Sequence, residues 1–175
     1  EITTRLVGSE MCIRDRYTVL LEWRMIMEYH IRAMQEQDIP FVSQIENQIF
    51  SLPWSEKSFR DAAANPDNVY LVCECTGEIA GYCGMWTVMG EGNVTNVAVH
   101  PAYRRMGVAE ALLKEMEKKA KEKDVTIFFL EVRQSNEAAK QLYNKLGYNP
   151  IGVRKRFYEK PVEDAIVMSK TTYTV

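Results

Sequence analysis

One apolar run, VTIFFLEV at residues 125–132, restricts the folds that this chain can adopt. The run has the length of a strand and hardly alternates, which predicts a β-strand buried on both faces. Such a strand needs a covering layer on each side, and segments with helical periodicity stand before and after it. Because strand–helix–strand passages take right-handed crossovers, the flanking strands pair locally in parallel. The run therefore predicts a sheet with helices on both faces.

The rest of the chain supplies the other elements of that sheet. Alternating residues predict strands at 29–34, 69–75, 79–88, 93–99, 149–153 and 165–170. Apolar residues at helical spacing predict helices at 38–50, 55–65, 106–123 and 136–146. Residues 154–163, which are rich in charge and aromatic rings, are expected as a loop or strand-edge segment. This order predicts the α/β (α+β) class, with a mixed, mostly antiparallel sheet of six to seven strands around a central parallel pair.

Cysteine spacing indicates neither a disulfide framework nor a zinc site. A two-residue hairpin loop after Cys75 predicts that Cys73 pairs with Ala80. No cysteine of this hairpin then lies opposite another cysteine. The chain has four cysteines and two histidines, His30 and His100, which are far apart in sequence. We therefore expect buried, reduced thiols in a cytoplasmic protein that holds no metal.

Composition narrows the possible partners. The chain has 175 residues, with 22 Lys and Arg against 24 Asp and Glu, so its formal charge is −2. A dedicated nucleic-acid binder would carry a broad basic face, which this balance excludes. No apolar run reaches the length of about 18 residues that a membrane span needs. We expect one domain, a monomer or weak dimer, with neither nucleic acid nor membrane as a partner.

The segment Arg104–Ala109 joins a predicted strand to the long predicted helix. Amides at a helix start lack internal partners, and the helix dipole favours anions there. Gly107 and Ala109 lack bulk, so a pyrophosphate can approach the backbone closely, and the arginines add positive charge. The alternative is a solvated turn before a surface helix. The first glycine of the dinucleotide-binding fingerprint is missing.

Residues 96–109, NVAVHPAYRRMGVA, resemble the acetyl-CoA motif of the GNAT acetyltransferase superfamily, and the predicted element order is similar to the GNAT fold. The resemblance implies acetyl-CoA as co-substrate. It also implies a splay between the two parallel strands, where exposed backbone at Val97 and Val99 pairs with the pantetheine arm. One departure from the family is Glu110, an acid that would weaken cofactor binding slightly unless its side chain points away. The implied cofactor-binding residues are Val97, Ala98, Val99, Arg104, Arg105, Met106, Gly107, Val108, Ala109, Glu110 and Asn136.

Four further segments together resemble the RimI-type ribosomal-protein-alanine N-acetyltransferases. They are LPWSE at 52–56, FLEVRQSN at 129–136, AKQLYNKLGY at 139–148 and EDAIVM at 163–168. The resemblance implies acetyl transfer to a protein N-terminal α-amine, that of the N-terminal alanine of a small-subunit ribosomal protein. The amine would attack the donor directly within a ternary complex, without a covalent enzyme intermediate. The partner would be the N-terminal peptide of that ribosomal protein.

Two residues carry the implied catalytic roles. Glu131 is a carboxylate in an apolar strand, which is costly to bury unpaired. The resemblance makes Glu131 the general base for an amine with a pKa of about 8. The alternative is an ion pair with Arg133 or a basic loop residue. Tyr143 is the implied general acid for the leaving thiolate, and its alternative is simple core packing.

Other implied site residues also have structural alternatives. The side-chain amide of Asn136 would contact the cofactor, or Asn136 would simply cap the helix that follows. Trp54 and Tyr158 are implied to bind the peptide substrate. The alternative for Trp54 is a core position between the first two helices.

Two other functions remain open at the level of sequence. One is a broader N-terminal or small-amine acetyltransferase on the same fold, and the other is a non-catalytic acyl-CoA-binding module. Residues 1–24 include the string SEMCIRDR, which resembles translated adapter sequence. We expect residues 1–24 to be a non-native or disordered extension, and residues 25–175 to form the acetyltransferase domain.

Overall fold

The computed structural model describes residues 29–172, so the expected extension at residues 1–24 lies outside the described residues. The strands are β1 (Tyr29–Ala33), β2 (Val69–Cys75), β3 (Glu78–Val88), β4 (Glu91–Val99), β5 (Ile127–Arg133), β6 (Asn149–Glu159) and β7 (Val162–Thr171). The helices are α1 (Ile39–Ile49), α2 (Glu56–Ala64), α3 (Val108–Lys121) and α4 (Glu137–Lys145). The strands form one sheet in the order β1-β2-β3-β4-β5-β7-β6. Only β4 and β5 pair in parallel, which confirms the predicted fold class.

Helices cover both faces of this sheet. On one face, α3 buries Leu112, Leu113 and Met116 against the strands, and Tyr143 of α4 joins the same cluster. On the other face, α1 and α2 form a second cluster, which includes the fully buried Phe59. Burying a side chain of this size contributes roughly 1.5–3 kcal/mol. None of the helices within residues 29–172 is both long enough and apolar enough to cross a membrane.

The β2–β3 hairpin contains a bulge that shifts its register. Cys75 lies opposite Glu78 as the hairpin loop requires, but Cys73 lies opposite Gly81. The predicted pairing of Cys73 with Ala80 is therefore wrong, because Ala80 is the extra residue of the bulge. The three cysteines of these strands are buried, as expected.

The charged segment at residues 154–163 is mostly strand, not a loop. Strand β6 continues to Glu159 and β7 begins at Val162, with a bulge between Arg154 and Tyr158. Nearly all of β6 is exposed, because β6 is an edge strand that no helix covers. Residues 149–153 of β6 are predicted as a strand, but without a buried face the rest of β6 lacks the alternation that would have indicated one.

Strand β5 is buried on one face only. Phe128, Leu130 and Val132 are buried in the cluster on the α3 side. The alternate residues are half-buried, so the prediction of burial on both faces is wrong for this side. Glu131 lies among them, on the face that α1 and α2 occupy.

Strands β4 and β5 separate after a short parallel ladder. Glu91–Val94 pair with Ile127–Leu130, and the pairing ends there. A bulge against β3 makes Thr95 an extra residue of β4 at this point. Beyond it β4 pairs only with β3, and β5 pairs only with β7. The predicted splay is therefore present, and we call the space between the two strands the gap.

Candidate active site

The edge of β4 offers backbone groups to the gap. The amide of His100 donates to the Ala80 carbonyl at 2.9 Å, on the β3 side of the strand. Because successive amides of a strand point to opposite edges, those of Val97 and Val99 face the gap. The Arg104 side chain reaches the same edge, where its Nε donates to the Val99 carbonyl at 3.4 Å. These groups can pair with an extended polar ligand as a neighbouring strand would.

The loop between β4 and α3 forms an anion-binding concavity. Arg105 has φ 66° and Gly107 has φ 85°, on either side of Met106. Such left-handed positions turn consecutive amides toward one point. The first helical bond of α3 runs from Ala111 to Gly107 at 3.0 Å, so the amides of residues 108–110 have no acceptor within the helix. A Cβ on Gly107 would meet nothing within 4 Å, so this loop fits a pyrophosphate.

Glu110 stands at this helix start, and two lysines offset its charge. Its carboxylate lies 2.9 Å from Lys114 Nζ and 2.6 Å from Lys145 Nζ. Hydrogen bonds from Lys114 and Lys145 lower the pKa of Glu110 to about 2. The carboxylate is thus ionised but directed at cations of α3 and α4, which reduces the repulsion expected from this departure.

Glu131 is the first residue of β5 beyond the parallel ladder. Its carboxylate Oε1 lies 3.0 Å from Nη1 of Arg154, so the ion pair weighed for Glu131 forms with a β6 residue and not with Arg133. The Glu131 side chain is 27% exposed and that of Arg154 is 59% exposed. A half-buried carboxylate at the gap, with an exposed cation as its partner, is open to an incoming amine.

Tyr158 closes the end of the gap beside Glu131. Its hydroxyl donates to the Glu131 backbone carbonyl at 3.3 Å. The guanidinium of Arg133 lies 4.0 Å from the centre of the Tyr158 ring, which fixes the ring by a cation–π contact. Tyr158 therefore lies next to the predicted base, as a substrate-binding residue would.

Tyr143 lies on the opposite side of the sheet from Glu131. It is buried in the α3–α4 cluster, and its ring packs edge-on against Tyr148 with centroids 5.9 Å apart. Burial raises the pKa of the Tyr143 hydroxyl, and the nearby Tyr158 phenol adds to the rise. Tyr143 is therefore a protonated hydroxyl at neutral pH. Packing and proton donation are compatible at this position.

Asn136 and Trp54 both make the structural contacts that were weighed as alternatives. Asn136 Oδ1 accepts from the Ala139 amide at 3.2 Å and so caps α4, which leaves its NH₂ group for other contacts. Trp54 packs its ring on Phe59 and Trp86, with centroid distances of 5.5 and 5.9 Å. Trp54 is only half-buried, so it contributes both to the core and to the surface beside the gap.

Two connections meet above the face that carries Glu131. The first is the α1–α2 connection, residues 50–55, and the second is the turn between β6 and β7. The Ser51 hydroxyl donates to the Lys160 carbonyl at 2.5 Å. Arg133 Nη2 donates to the same carbonyl at 3.0 Å, which ties the turn to β5. We call the surface that these two connections border beside Glu131 the groove.

One buried group near the gap has no counterpart in the sequence predictions. Glu46 of α1 is 1% exposed, and its carboxylate accepts from the Trp54 amide at 3.0 Å and from Asn96 Nδ2 at 3.4 Å. The Tyr82 hydroxyl donates to its second oxygen. The signal was available, since Glu46 follows Ile45 on the apolar stripe of the helix. A carboxylate at such a position needs buried donors.

A strand gap that opens against a helix start, with a half-buried carboxylate beside it, suits an extended anionic donor and an acceptor amine, as in an acyltransferase. The chain belongs to the GNAT family of acetyltransferases, whose model, described as Acetyltransferase (GNAT) family, matches residues 39–148. Enzymes of this family use acetyl-CoA as the donor, and the loop and gap described above fit it. Within residues 29–172, no group of three or more His, Cys, Asp or Glu side chains could hold a metal ion.

Among known proteins, a relative from Bacillus subtilis (strain 168) is 42% identical over 139 residues, which are 79% of this chain and 92% of the relative. The [ribosomal protein bS18]-alanine N-acetyltransferase of Escherichia coli (strain K12) is 36% identical over 143 residues, 79% of this chain and 95% of that enzyme. A crystal structure of the Escherichia coli ribosomal-protein-S18-alanine N-acetyltransferase superposes with a TM-score of 0.77 at 31% identity. That superposition covers 85% of this chain and 96% of the other. An N-acetyltransferase of Thermoplasma acidophilum, solved with coenzyme A, shares the fold at 17% identity and a TM-score of 0.69, covering 83% of this chain and 99% of that one.

Proposed function

We propose that this chain transfers an acetyl group from acetyl-CoA to the N-terminal alanine of ribosomal protein bS18. The observation that carries the proposal is the placement of Glu131 at the gap, where its half-buried carboxylate lies beside the groove. The extent of the match to the Escherichia coli enzyme, 95% of its length, supports the same substrate. Such a substrate places the reaction in the cytoplasm.

In this proposal the donor is held by backbone. Amides of Val97 and Val99 pair with the pantetheine arm, and the residues from Arg105 to Glu110 hold the pyrophosphate. The free NH₂ group of Asn136 gives one further donor. When bound, acetyl-CoA supplies an activated acyl group, and an amide of the β4 edge polarises its carbonyl.

Glu131 and Tyr143 move the protons. A substrate α-amine, with a pKa of about 8, is largely protonated at neutral pH and cannot attack until its proton leaves. Glu131 accepts that proton, directly or through water. The Tyr143 hydroxyl donates to the leaving thiolate from the other side of the gap. Trp54 and Tyr158 form the walls that orient the peptide.

A direct transfer needs no enzyme nucleophile. Burial raises the pKa of the Cys73 thiol to about 11 and that of Cys83 still further, so neither is a thiolate at neutral pH. Both cysteines lie under α3 rather than in the groove. Positioning of the amine against the acyl carbon is therefore the main contribution of the protein.

The test is acetyl transfer to a panel of acceptors, followed by mass spectrometry. The panel holds a peptide with the bS18 N-terminal sequence, the same peptide with its first alanine replaced, the N-terminally blocked peptide, and free lysine. We expect turnover of the alanine peptide alone. Equal turnover of all free amines would favour a broader amine acetyltransferase, and binding of acetyl-CoA without any turnover would favour a non-catalytic module.

A further inference from the structure

A buried polar cluster lies under the groove, on the α1–α2 side of the sheet. Its centre is the carboxylate of Glu46, and Asn96 of β4 is 6% exposed beside it. Ala98 of β4 packs in the α1–α2 cluster, so Asn96, two residues earlier, points to the same face. Glu131 occupies that face on the far side of the gap. The cluster therefore lies next to the reacting groups without belonging to them.

Glu46 links the α1–α2 connection to β4, and the two substrates must meet between these two parts of the structure. On the peptide side, it accepts from the amide of Trp54 in the α1–α2 connection. On the donor side, it accepts from Asn96, whose neighbour Val97 turns its amide to the gap. The Tyr82 hydroxyl fixes the second carboxylate oxygen from β3. A shift of this one side chain would therefore alter the spacing between the α1–α2 connection and β4.

Stability alone does not account for this cluster. Within the described chain, Glu46 has no ion-pair partner. Burial raises the pKa of its carboxyl, although the hydrogen bonds from Trp54 and Tyr82 act in the opposite direction. Asn96 Oδ1 is buried with no hydrogen-bond partner among residues 29–172. Buried groups of this kind cost free energy of folding, and apolar residues of similar shape would often serve the fold better. Their place beside the gap points to a role in the reaction.

We propose that Glu46 is a positioning residue for acetyl transfer, which holds the α1–α2 connection against β4 so that the substrate amine meets the acyl carbon. This inference rests on the proposed function, because it requires a peptide in the groove and a donor in the gap. Small displacements at a reacting centre can lower a rate by about 10²-fold. Glu46 itself touches neither substrate.

Replacement of Glu46 by alanine tests the link directly. Glu46→Ala removes every bond to Trp54 and Asn96, and we expect kcat for the bS18 peptide to fall by about tenfold or more. The KM for acetyl-CoA should change less than kcat, because the amides of residues 105–110, which are proposed to hold the pyrophosphate, do not contact Glu46. Glu46→Gln keeps one acceptor oxygen, and the Tyr82 hydroxyl can accept from its NH₂ group, so its loss of kcat is smaller.

The matched control is Glu117→Gln. Glu117 is also a buried glutamate, 6% exposed, but it pairs with Lys170 at 2.6 Å on the α3 side of the sheet. This variant loses a comparable buried contact far from the groove. We expect it to change Tm but neither kcat nor KM. A merely structural role for Glu46 would make the two positions behave alike.

Asn96→Ala removes the same link from the β4 side and serves if Glu46→Ala does not fold. The effects of Glu46→Ala and Asn96→Ala on kcat should be non-additive, because both break one chain of contacts. Wild-type kcat in folded Glu46→Ala or in folded Asn96→Ala would overturn the inference while leaving the proposed function intact. Failure of the wild type to turn over the peptide would instead overturn the proposed function, and this inference with it.

Discussion

The Arg154 guanidinium lies 3.0 Å from the Glu131 carboxylate and joins β6 to β5 across the intervening strand β7. The arginine is mostly in water, so it can give way to a substrate ammonium that brings an equal charge. The pair thus holds the predicted base at the gap in a form ready to accept a cation.

Glu131→Gln removes the proton acceptor and keeps the shape of the side chain. We expect kcat for the alanine peptide to fall by about 10²–10⁴-fold, the range for loss of a general base. Tm changes little, because exposed ion pairs contribute little to stability. Glu115→Gln, which loses an exposed pair with Lys118 on α3, is the control and keeps full activity. Unchanged kcat in Glu131→Gln would assign the base elsewhere.

Tyr143→Phe removes one buried hydroxyl and preserves ring packing against Tyr148. We expect kcat to fall by about 10²-fold or more, with KM values unchanged, since the hydroxyl acts on the leaving group. The raised pKa of Tyr143 means that the hydroxyl keeps its proton above pH 10, so no alkaline loss of activity between pH 7 and pH 9 arises from it. Tyr148→Phe, in the same ring pair, is the comparison and should retain wild-type kcat.

Gly107→Ala separates backbone strain from donor binding. Gly107 has φ +85° with open space at its Cβ, and Gly77 in the β2–β3 turn has φ +84° with equally open space. Alanine at either position costs about 1–2 kcal/mol of strain, so both variants should lose similar stability. Only Gly107→Ala should raise the KM for acetyl-CoA. An equal effect of both variants on that KM would remove the loop from donor binding.

Glu46 should make stability depend on pH. Burial raises the pKa of its carboxyl in the folded state above the ordinary value of 4.5. The unfolded chain then loses this proton at lower pH than the folded protein, so stability falls as pH rises from about 4.5 toward the folded pKa. Thermal unfolding of wild type and Glu46→Gln from pH 4 to pH 8 measures this, and the variant should gain relative stability as pH rises. A difference that is constant across this range would contradict the assignment.

Much of the fold follows from local sequence rules. Gly147 ends α4 at a positive φ, Ser55 caps α2, and the element order determines the single parallel pair. Local sequence rules do not predict β-bulges. A two-residue turn before Glu78 predicts a regular ladder, and nothing in the sequence indicates that Ala80 is the additional residue of a bulge. The second half of β6 also departs from these rules, because no packed face imposes a period on it.

The candidate site also contains some features that the sequence predicts and others that it does not. The loop at residues 104–109 and the carboxylate Glu131 are visible in sequence because they are unusual for their elements. The partner of Glu131 could be predicted only as Arg133 or a basic loop residue, because the β6–β7 pairing that brings Arg154 to Glu131 is not visible in the sequence. The burial of Glu46 could have been predicted from its place on the apolar stripe of α1, but its partners Trp54, Asn96 and Tyr82 could not, because they come from other elements.

The short ladder between β4 and β5 also has a mechanical consequence. Four residue pairs are the whole seam between a four-stranded half, β1 to β4, and a three-stranded half, β5 to β7. Glu131, the proposed base, belongs to one half, whereas the amides of Val97 and Val99 belong to the other. A ligand that pairs with both edges would lengthen this ladder, so we expect donor binding to hold Glu131 more firmly relative to the amides of Val97 and Val99.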